Sequence, residues 1–155
     1  MNSTVTVSPR KLALLRWEVD NLQQYLDEFE YPSNGEWRRA QLGSTGEYLT
    51  VRNFPLPDSY NPDYIDLLVL IDSFPAVPPI GIYVLNKHNS SLVSQLKNRF
   101  NAFRDRAFHD APAISGYTWI CTHYAGNSWR YRSDDPGRGD NIRKFLVNFF
   151  AELIR

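Results

Sequence analysis

The chain has 155 residues, 43% of them hydrophobic, which suits one domain that buries roughly two-thirds of the surface its unfolded form exposes. Its 17 basic and 17 acidic residues cancel, which argues against a nucleic-acid partner or an anionic membrane, since both favour excess positive charge. One cysteine excludes an internal disulfide and fits a reducing compartment. The start resembles no signal peptide, and no apolar run is long enough to span a membrane. We therefore expect residues 1–155 to form a single cytoplasmic domain.

The first predicted element is a helix that begins at Ser8 and Pro9, residue types that favour the N-cap and the first helical position. Apolar residues then recur at steps of three and four, at Leu12, Leu15, Val19, Leu22, Leu26 and Phe29. About three heptads is short for a coiled coil, so the stripe favours packing against the chain's own sheet. Pro32 and the pair Asn34-Gly35 are expected to end the helix.

The following segments predict an antiparallel meander. Residues 37–42 and 47–52 flank a turn bracketed by Gly43 and Gly46 and indicate a hairpin. The prolines of residues 54–57 and 61–62 are expected to interrupt strand pairing. Residues 65–71 and 80–85 then predict two more strands, which are separated by a proline-rich turn at residues 74–79.

Two further helices are predicted after the meander. Ser90 or Ser91 caps a helix over residues 90–108, with an apolar side that comprises Leu92, Leu96, Phe100, Phe103 and Ala107. Its basic residues suit a solvated face better than a surface for an acidic partner. Asp140 is expected to cap a final helix with a buried face that comprises Ile142, Phe145, Leu146, Phe149, Leu153 and Ile154. The predicted class is α+β.

A loop that carries the cysteine is predicted between these helices. It reads Tyr117-Thr118-Trp119-Ile120-Cys121-Thr122-His123, so aromatic residues precede the cysteine and an imidazole follows it. A thiolate is a strong nucleophile, and His123 would project to the same side as Cys121 if the segment is extended. His123 would then assist thiolate formation or deprotonate an incoming amine. The alternatives are an inert buried cysteine and a solvated histidine.

Three features together resemble the ubiquitin-conjugating, or E2, family. They are the order of the elements, the turn Phe74-Pro75-Ala76-Val77-Pro78-Pro79, and Trp129 placed eight residues after Cys121. The resemblance covers residues 9–155 and implies a UBC-like fold, in which an antiparallel meander sheet is flanked by an N-terminal helix, an inserted helix and a C-terminal helix. It implies a transferase that accepts a ubiquitin-like modifier protein from an E1-like activating enzyme as a thioester on Cys121. The modifier then passes to an amine of a protein acceptor, directly or through an E3.

The departures from the family resemble those of divergent bacterial E2-like proteins. The family's His-Pro-Asn triplet before the cysteine is missing, and the nearest sequence is His109-Asp110-Ala111-Pro112. Asn127 is our candidate to replace the missing oxyanion donor, although an asparagine beside glycine also suits a turn. Three acidic residues either orient the acceptor amine or serve as loop solvation and a helix cap, namely Asp134, Asp135 and Asp140.

Two other functions stay open from the sequence. The first is a non-catalytic E2-variant module that binds a ubiquitin-like protein, with Cys121 as a packing residue. The second is a cysteine hydrolase that uses Cys121 with His109 or His123, although no hydrolase signature is present. We expect no metal or cofactor, because the three histidines share no ligand spacing and no glycine-rich phosphate loop occurs. ATP use would belong to a partner.

Overall fold

The computed structural model describes residues 8–30, 35–71, 74–79, 81–86, 90–104, 111–122 and 129–154. The elements in chain order are α1 (Pro9–Asp27), β1 (Arg39–Leu42), β2 (Tyr48–Pro55), β3 (Tyr64–Leu70), β4 (Ile82–Leu85), α2 (Ser90–Arg99), β5 (Asn101–Arg104), β6 (Tyr117–Cys121) and α3 (Ile142–Ile154). A 3₁₀ turn at Pro136–Arg138 precedes α3. The α+β class predicted from the sequence is confirmed.

The strands form one antiparallel sheet in the order β1-β2-β3-β4-β6-β5. The first four follow chain order, so the predicted meander is confirmed. The sheet then continues with β6, which lies between β4 and β5. Arg39 of β1 pairs with Arg52 of β2 at one end of the sheet, and Asn101 of β5 pairs with Cys121 of β6 at the other.

Helix α1 begins as the sequence predicts and ends earlier. The Ser8 hydroxyl accepts a hydrogen bond from Lys11 N at 3.2 Å, and Pro9 occupies the first turn. Its buried face consists of Leu15, Glu18, Leu22 and Leu26. The expected end near Pro32 was wrong, because the helix stops at Asp27, where Glu28 N donates back to Tyr25 O at 3.2 Å and tightens the final turn.

Strand β2 continues through the segment in which prolines were expected to interrupt pairing. Phe54 pairs with Ile65, and Pro55 pairs with Tyr64. The irregularity falls one step earlier, where the register shifts and Asn53 adopts a φ of 57°. Pro55 is tolerated because it is the last residue of the strand and lies close to this bulge.

The single helix predicted over residues 90–108 was wrong beyond Arg99. Phe100 N closes α2 through a 2.8 Å hydrogen bond to Leu96 O, and β5 begins at the next residue. Phe103 therefore lies in a strand, paired with Trp119 of β6. Ala107 lies outside the described residues. Part of the basic surface of α2 serves the fold itself, since Arg99 Nε donates to Glu152 O of α3 at 2.9 Å.

Helix α3 buries the predicted face with one exception. Ile142, Phe145, Leu146, Phe149 and Leu153 are buried. Ile154 is 64% exposed, because the last residue of the helix is rotated away from the core. The expected Asp140 cap was also wrong. Asn141 fills that role and accepts from Lys144 N at 2.9 Å, while Asp140 Oδ2 accepts from Arg130 N at 2.6 Å.

The sheet separates two apolar clusters of unequal size. The main core joins α1, α2 and α3 to one face of the sheet and includes Ile120. The smaller cluster consists of Leu68, Tyr83, Ala111 and Trp119, with Tyr117 and Cys121 packed against it. Because side chains alternate along a strand, Tyr117, Trp119 and Cys121 share the face opposite Ile120. No helix among the described ranges is long and apolar enough to cross a membrane.

Candidate functional site

Cys121 is the last residue of a strand and not a loop residue as the sequence predicted. Strand β6 pairs with β4 on one side and with β5 on the other. Ile120 lies opposite Ile82, and Cys121 lies opposite Asn101. A strand that is paired on both sides fixes the backbone that carries the cysteine. The extended geometry that our interpretation of His123 required is therefore present as far as Cys121.

The side chain of Cys121 is half-buried beside aromatic residues. Trp119 and Tyr83 are buried in the smaller cluster, against which Cys121 packs. The Tyr83 hydroxyl donates a 2.6 Å hydrogen bond to Pro112 O, which holds the segment before β6 against this face of the sheet. The aromatic residues therefore flank and support the cysteine, as the sequence suggested.

Gly81 makes room for the Trp119 side chain beside the end of β6. It immediately precedes Ile82, the first residue of β4, which pairs with Ile120. A Cβ atom on Gly81 would lie 2.5 Å from Trp119 Nε1 and 2.6 Å from Ile120 O, and its φ of 141° also favours glycine. The indole of Trp119 thus occupies the space over Gly81, next to the cysteine.

The proline-rich turn lies at the same end of the sheet as Cys121. Residues 74–79 lead into the start of β4, and the start of β4 is adjacent to the end of β6 because the two strands are antiparallel. Trp129 Nε1 donates a 2.8 Å hydrogen bond to Pro75 O. The turn and the tryptophan that suggested the E2 family are therefore in direct contact, and the cysteine lies at the neighbouring strand end.

Aromatic packing stabilises the turn at residues 74–79. Phe74 is buried, and its ring meets Tyr131 edge-on with centroids 4.8 Å apart. Trp129 stacks on Tyr131 at 6.4 Å with an interplanar angle of 16°. Phe74 and Trp129 thus shape the site and support its backbone.

Burial raises the pKa of the Cys121 thiol. A thiol with a raised pKa needs a base to form the thiolate that reacts. His123 and Asn127, the predicted partners of Cys121, lie outside the described residues, as do His88 and His109.

The three acidic candidates have different surroundings. Asp134 and Asp135 are exposed, and Asp135 lies 4.0 Å from Arg138. Asp140 accepts the hydrogen bond from Arg130 N described above, so it stabilises the approach to α3. None of these contacts brings a carboxylate to Cys121.

A buried carboxyl that was not among the predicted site residues lies on α1, against the start of α3. Glu18 is 0% exposed, and its Oε1 accepts from Ile142 N at 2.9 Å, at the start of α3. Burial is the main cause that raises its pKa to about 7. Tyr131 lies against this carboxyl and the two side chains alter each other's pKa, although the pair lies outside the geometry of a regular hydrogen bond. The signal in the sequence is an acidic residue on the apolar stripe between Leu15 and Leu22.

Comparisons with protein-family models, with curated proteins and with solved structures found no match. No group of three or more His, Cys, Asp or Glu side chains suited to a metal ion occurs within the described part of the chain.

Proposed function

We propose that the chain is an E2-like carrier with a UBC-like fold, which accepts a ubiquitin-like protein as a thioester on Cys121. One observation carries the proposal: the turn at residues 74–79, with Trp129 bonded to it, lies at the same end of the sheet as Cys121. The residues that resemble one family's motif are far apart in sequence and lie at one end of the sheet, where the turn and Trp129 pack with the main core and Cys121 packs against the smaller cluster.

The proposed reaction has two acyl transfers. The Cys121 sulfur attacks the carbonyl of the E1–modifier thioester, a new carbon–sulfur bond forms, and the E1 cysteine leaves as a thiol with the proton that Cys121 releases. An amine of the acceptor then attacks the Cys121 thioester, the amide bond forms, and Cys121 regains its proton. Both steps are balanced without an oxidant or ATP, because the E1 thioester already carries the free energy that drives acyl transfer.

The proposed reaction needs two kinds of assistance. The raised pKa of Cys121 calls for a base, and each tetrahedral intermediate calls for a hydrogen-bond donor. His123 accepts the thiol proton during loading and the amine proton during discharge. Asn127 donates to the oxyanion of each tetrahedral intermediate, a contribution of about 2.7 to 4 kcal/mol for a true oxyanion donor. The strand holds the sulfur still while these two residues act from the segment that follows it.

The experiment is intact mass spectrometry of purified protein after incubation with ATP and a lysate of the source organism. Wild type, Cys121→Ser and Cys121→Ala are compared. We expect a protein-sized adduct that thiol reductant removes from wild type, that persists on the serine variant as an ester, and that is absent from the alanine variant. The alanine variant must keep the wild-type unfolding transition, so that loss of the adduct reports the sulfur.

A second candidate function is a non-catalytic module that binds a ubiquitin-like protein. The burial that raises the Cys121 pKa and its packing against the Trp119 cluster favour this candidate. It predicts no adduct on any of the three proteins, together with equal binding of the modifier by wild type and Cys121→Ala. That pair of results would exclude the carrier.

A further inference from the structure

An exposed tryptophan lies at the opposite end of the sheet from Cys121. Trp37, just before β1, is 69% exposed, which makes it the largest exposed apolar side chain in the described ranges. It lines two neighbouring clefts of about 390 and 450 Å³. Tryptophan is enriched among the residues that contribute most to the binding energy of protein interfaces.

The backbone of Trp37 is fixed by the bulge of β2. Asn53 Nδ2 donates to Trp37 O at 3.3 Å, and Asn53 N donates to Asp66 Oδ1 at 2.9 Å. Asn53 is only 5% exposed and adopts a left-handed φ of 57°, a conformation that costs free energy for a non-glycine residue. A strained, hydrogen-bonded residue therefore holds the peptide that presents the indole.

Two arginines share the 390 Å³ cleft with Trp37. Arg39 and Arg52 are directly opposite each other on β1 and β2, and both side chains are exposed. Like charges in this position repel each other. Neither arginine forms an ion pair with a carboxylate in the described ranges, and Glu36 is the acidic residue that lines the cleft. Within this cleft, two arginines against one glutamate leave one excess positive charge, which an anionic group would neutralise. The excess is local, because Asp20 and Asp27 balance Arg38 and Arg39 in the neighbouring 450 Å³ cleft.

The edge of β1 is closed to strand addition at this point. Gln23 Nε2 donates to Arg38 O at 3.0 Å, and Gln23 Oε1 accepts from Ala40 N at 2.9 Å. The side-chain amide thus occupies the backbone groups that an added strand would need. A partner must therefore engage this surface through side chains, which the indole and the two guanidinium groups offer.

We propose that the Trp37 cleft, formed by Trp37, Arg39, Arg52 and Asn53, binds an acidic segment of a partner protein. Carboxylates of that segment pair with Arg39 and Arg52, and a neighbouring apolar side chain packs on the indole. This inference goes beyond the proposed function and uses no chemistry of Cys121. It can therefore be tested in the Cys121→Ala background, where a failure of the carrier proposal has no effect on the result.

The test is selection of displayed random peptides on the immobilised full chain, followed by affinity measurement with the selected peptides. Binders are first depleted on Arg39→Glu/Arg52→Glu. We expect selected sequences to be enriched in Asp and Glu next to an apolar residue. Trp37→Ala and Arg39→Gln/Arg52→Gln should each weaken their binding by about tenfold or more. Arg16→Glu, a substitution of an exposed arginine of α1, should change the affinity by less than about twofold.

Each other outcome would overturn the proposal. Peptides without acidic enrichment, or peptides that bind the arginine variants as tightly as wild type, would remove the role of the two guanidinium groups. Binding of inorganic phosphate or heparin at the arginines, with no acidic peptide selected, would assign the surface to another class of ligand. The neutral glutamine pair and Trp37→Ala are first checked for wild-type thermal unfolding, so that loss of binding does not report loss of the fold.

Discussion

At Cys121, a backbone held by strand pairing is combined with a side chain whose burial raises the pKa of the thiol. A reactive cysteine usually has a positive or basic neighbour that lowers its pKa. The residue that would supply such a neighbour is His123, two positions further along.

The rate of alkylation by iodoacetamide measures the reactivity of the Cys121 thiol directly. With the described surroundings alone, Cys121 should react more slowly in the folded protein than in the urea-unfolded chain near pH 8. The rate should rise at a higher pH than the usual thiol pKa of about 8.5, because the thiolate is the reacting form. Intact mass reports the site without ambiguity, since the chain has one cysteine.

The variant Cys121→Ala/Ser133→Cys places the one thiol in an exposed turn. It serves as the control for a thiol that reagent reaches freely. It should react at the rate of the unfolded chain. If Cys121 instead reacts faster than this control near pH 7, the thiol is activated in the folded protein. His123→Ala should then abolish the difference.

Among the elements, the segment from α2 to β5 shows where sequence patterns stop being informative. Leu92, Leu96, Phe100 and Phe103 follow a helical period, yet the helix ends and Phe103 pairs with Trp119. That pairing partner is distant in the sequence, and no local pattern indicates it. The pattern of α1 correctly predicted its start and its buried face, although not its end at Asp27, because the helix packs one face against the core. Strand β5, by contrast, is determined by the neighbouring strand.

The same limit applies to the candidate site. The turn at residues 74–79 and Cys121 were identifiable by residue type and spacing. The strand that carries Cys121, the glycine that admits the Trp119 ring and the bulge at Asn53 depend on strand register. Register is a property of two segments together, so one segment alone does not predict it.

The side-chain amide of Gln23 caps the backbone edge of β1. Gln23→Ala should lower the free energy of unfolding by about 1 to 3 kcal/mol, since two part-buried backbone groups lose their partners. Denaturant unfolding measures the change. Gln24→Ala, the adjacent exposed position, should stay within about 0.5 kcal/mol of wild type.

Without the Gln23 amide, the edge of β1 should also promote self-association. Sedimentation velocity of Gln23→Ala is expected to show self-association at concentrations where wild type shows none. Equal stability of the two glutamine variants would mean that the edge needs no cap.

For the whole molecule, Glu18 connects α1 to α3 across 124 positions of sequence. Its pKa is about 7 in the folded protein against a usual 4.5, so the folded state holds the proton more tightly than the unfolded chain. This contribution to stability is complete below about pH 4.5 and is lost as the pH rises to 7. Each pH unit between the two values corresponds to about 1.4 kcal/mol, so about 3 kcal/mol is at stake.

Glu18→Gln keeps the acceptor for Ile142 N and removes the titration. Between about pH 4.5 and pH 8, the wild-type free energy of unfolding should fall by about 3 kcal/mol relative to this variant. Urea unfolding across this range provides the measurement. Glu47→Gln, a change at an exposed carboxyl, should keep the wild-type dependence on pH. If the free energy of unfolding depends on pH in the same way for wild type and Glu18→Gln, Glu18 is not the titrating group.

The pairing of β6 has a consequence for the reaction proposed at Cys121. The backbone is held by the pairing of Cys121 with Asn101 of β5 and, one residue earlier, by the pairing of Ile120 with Ile82 of β4. Rotation of the side chain is then the main freedom left to the sulfur. In the proposed transfer, the search for a productive geometry therefore falls mainly on the incoming donor.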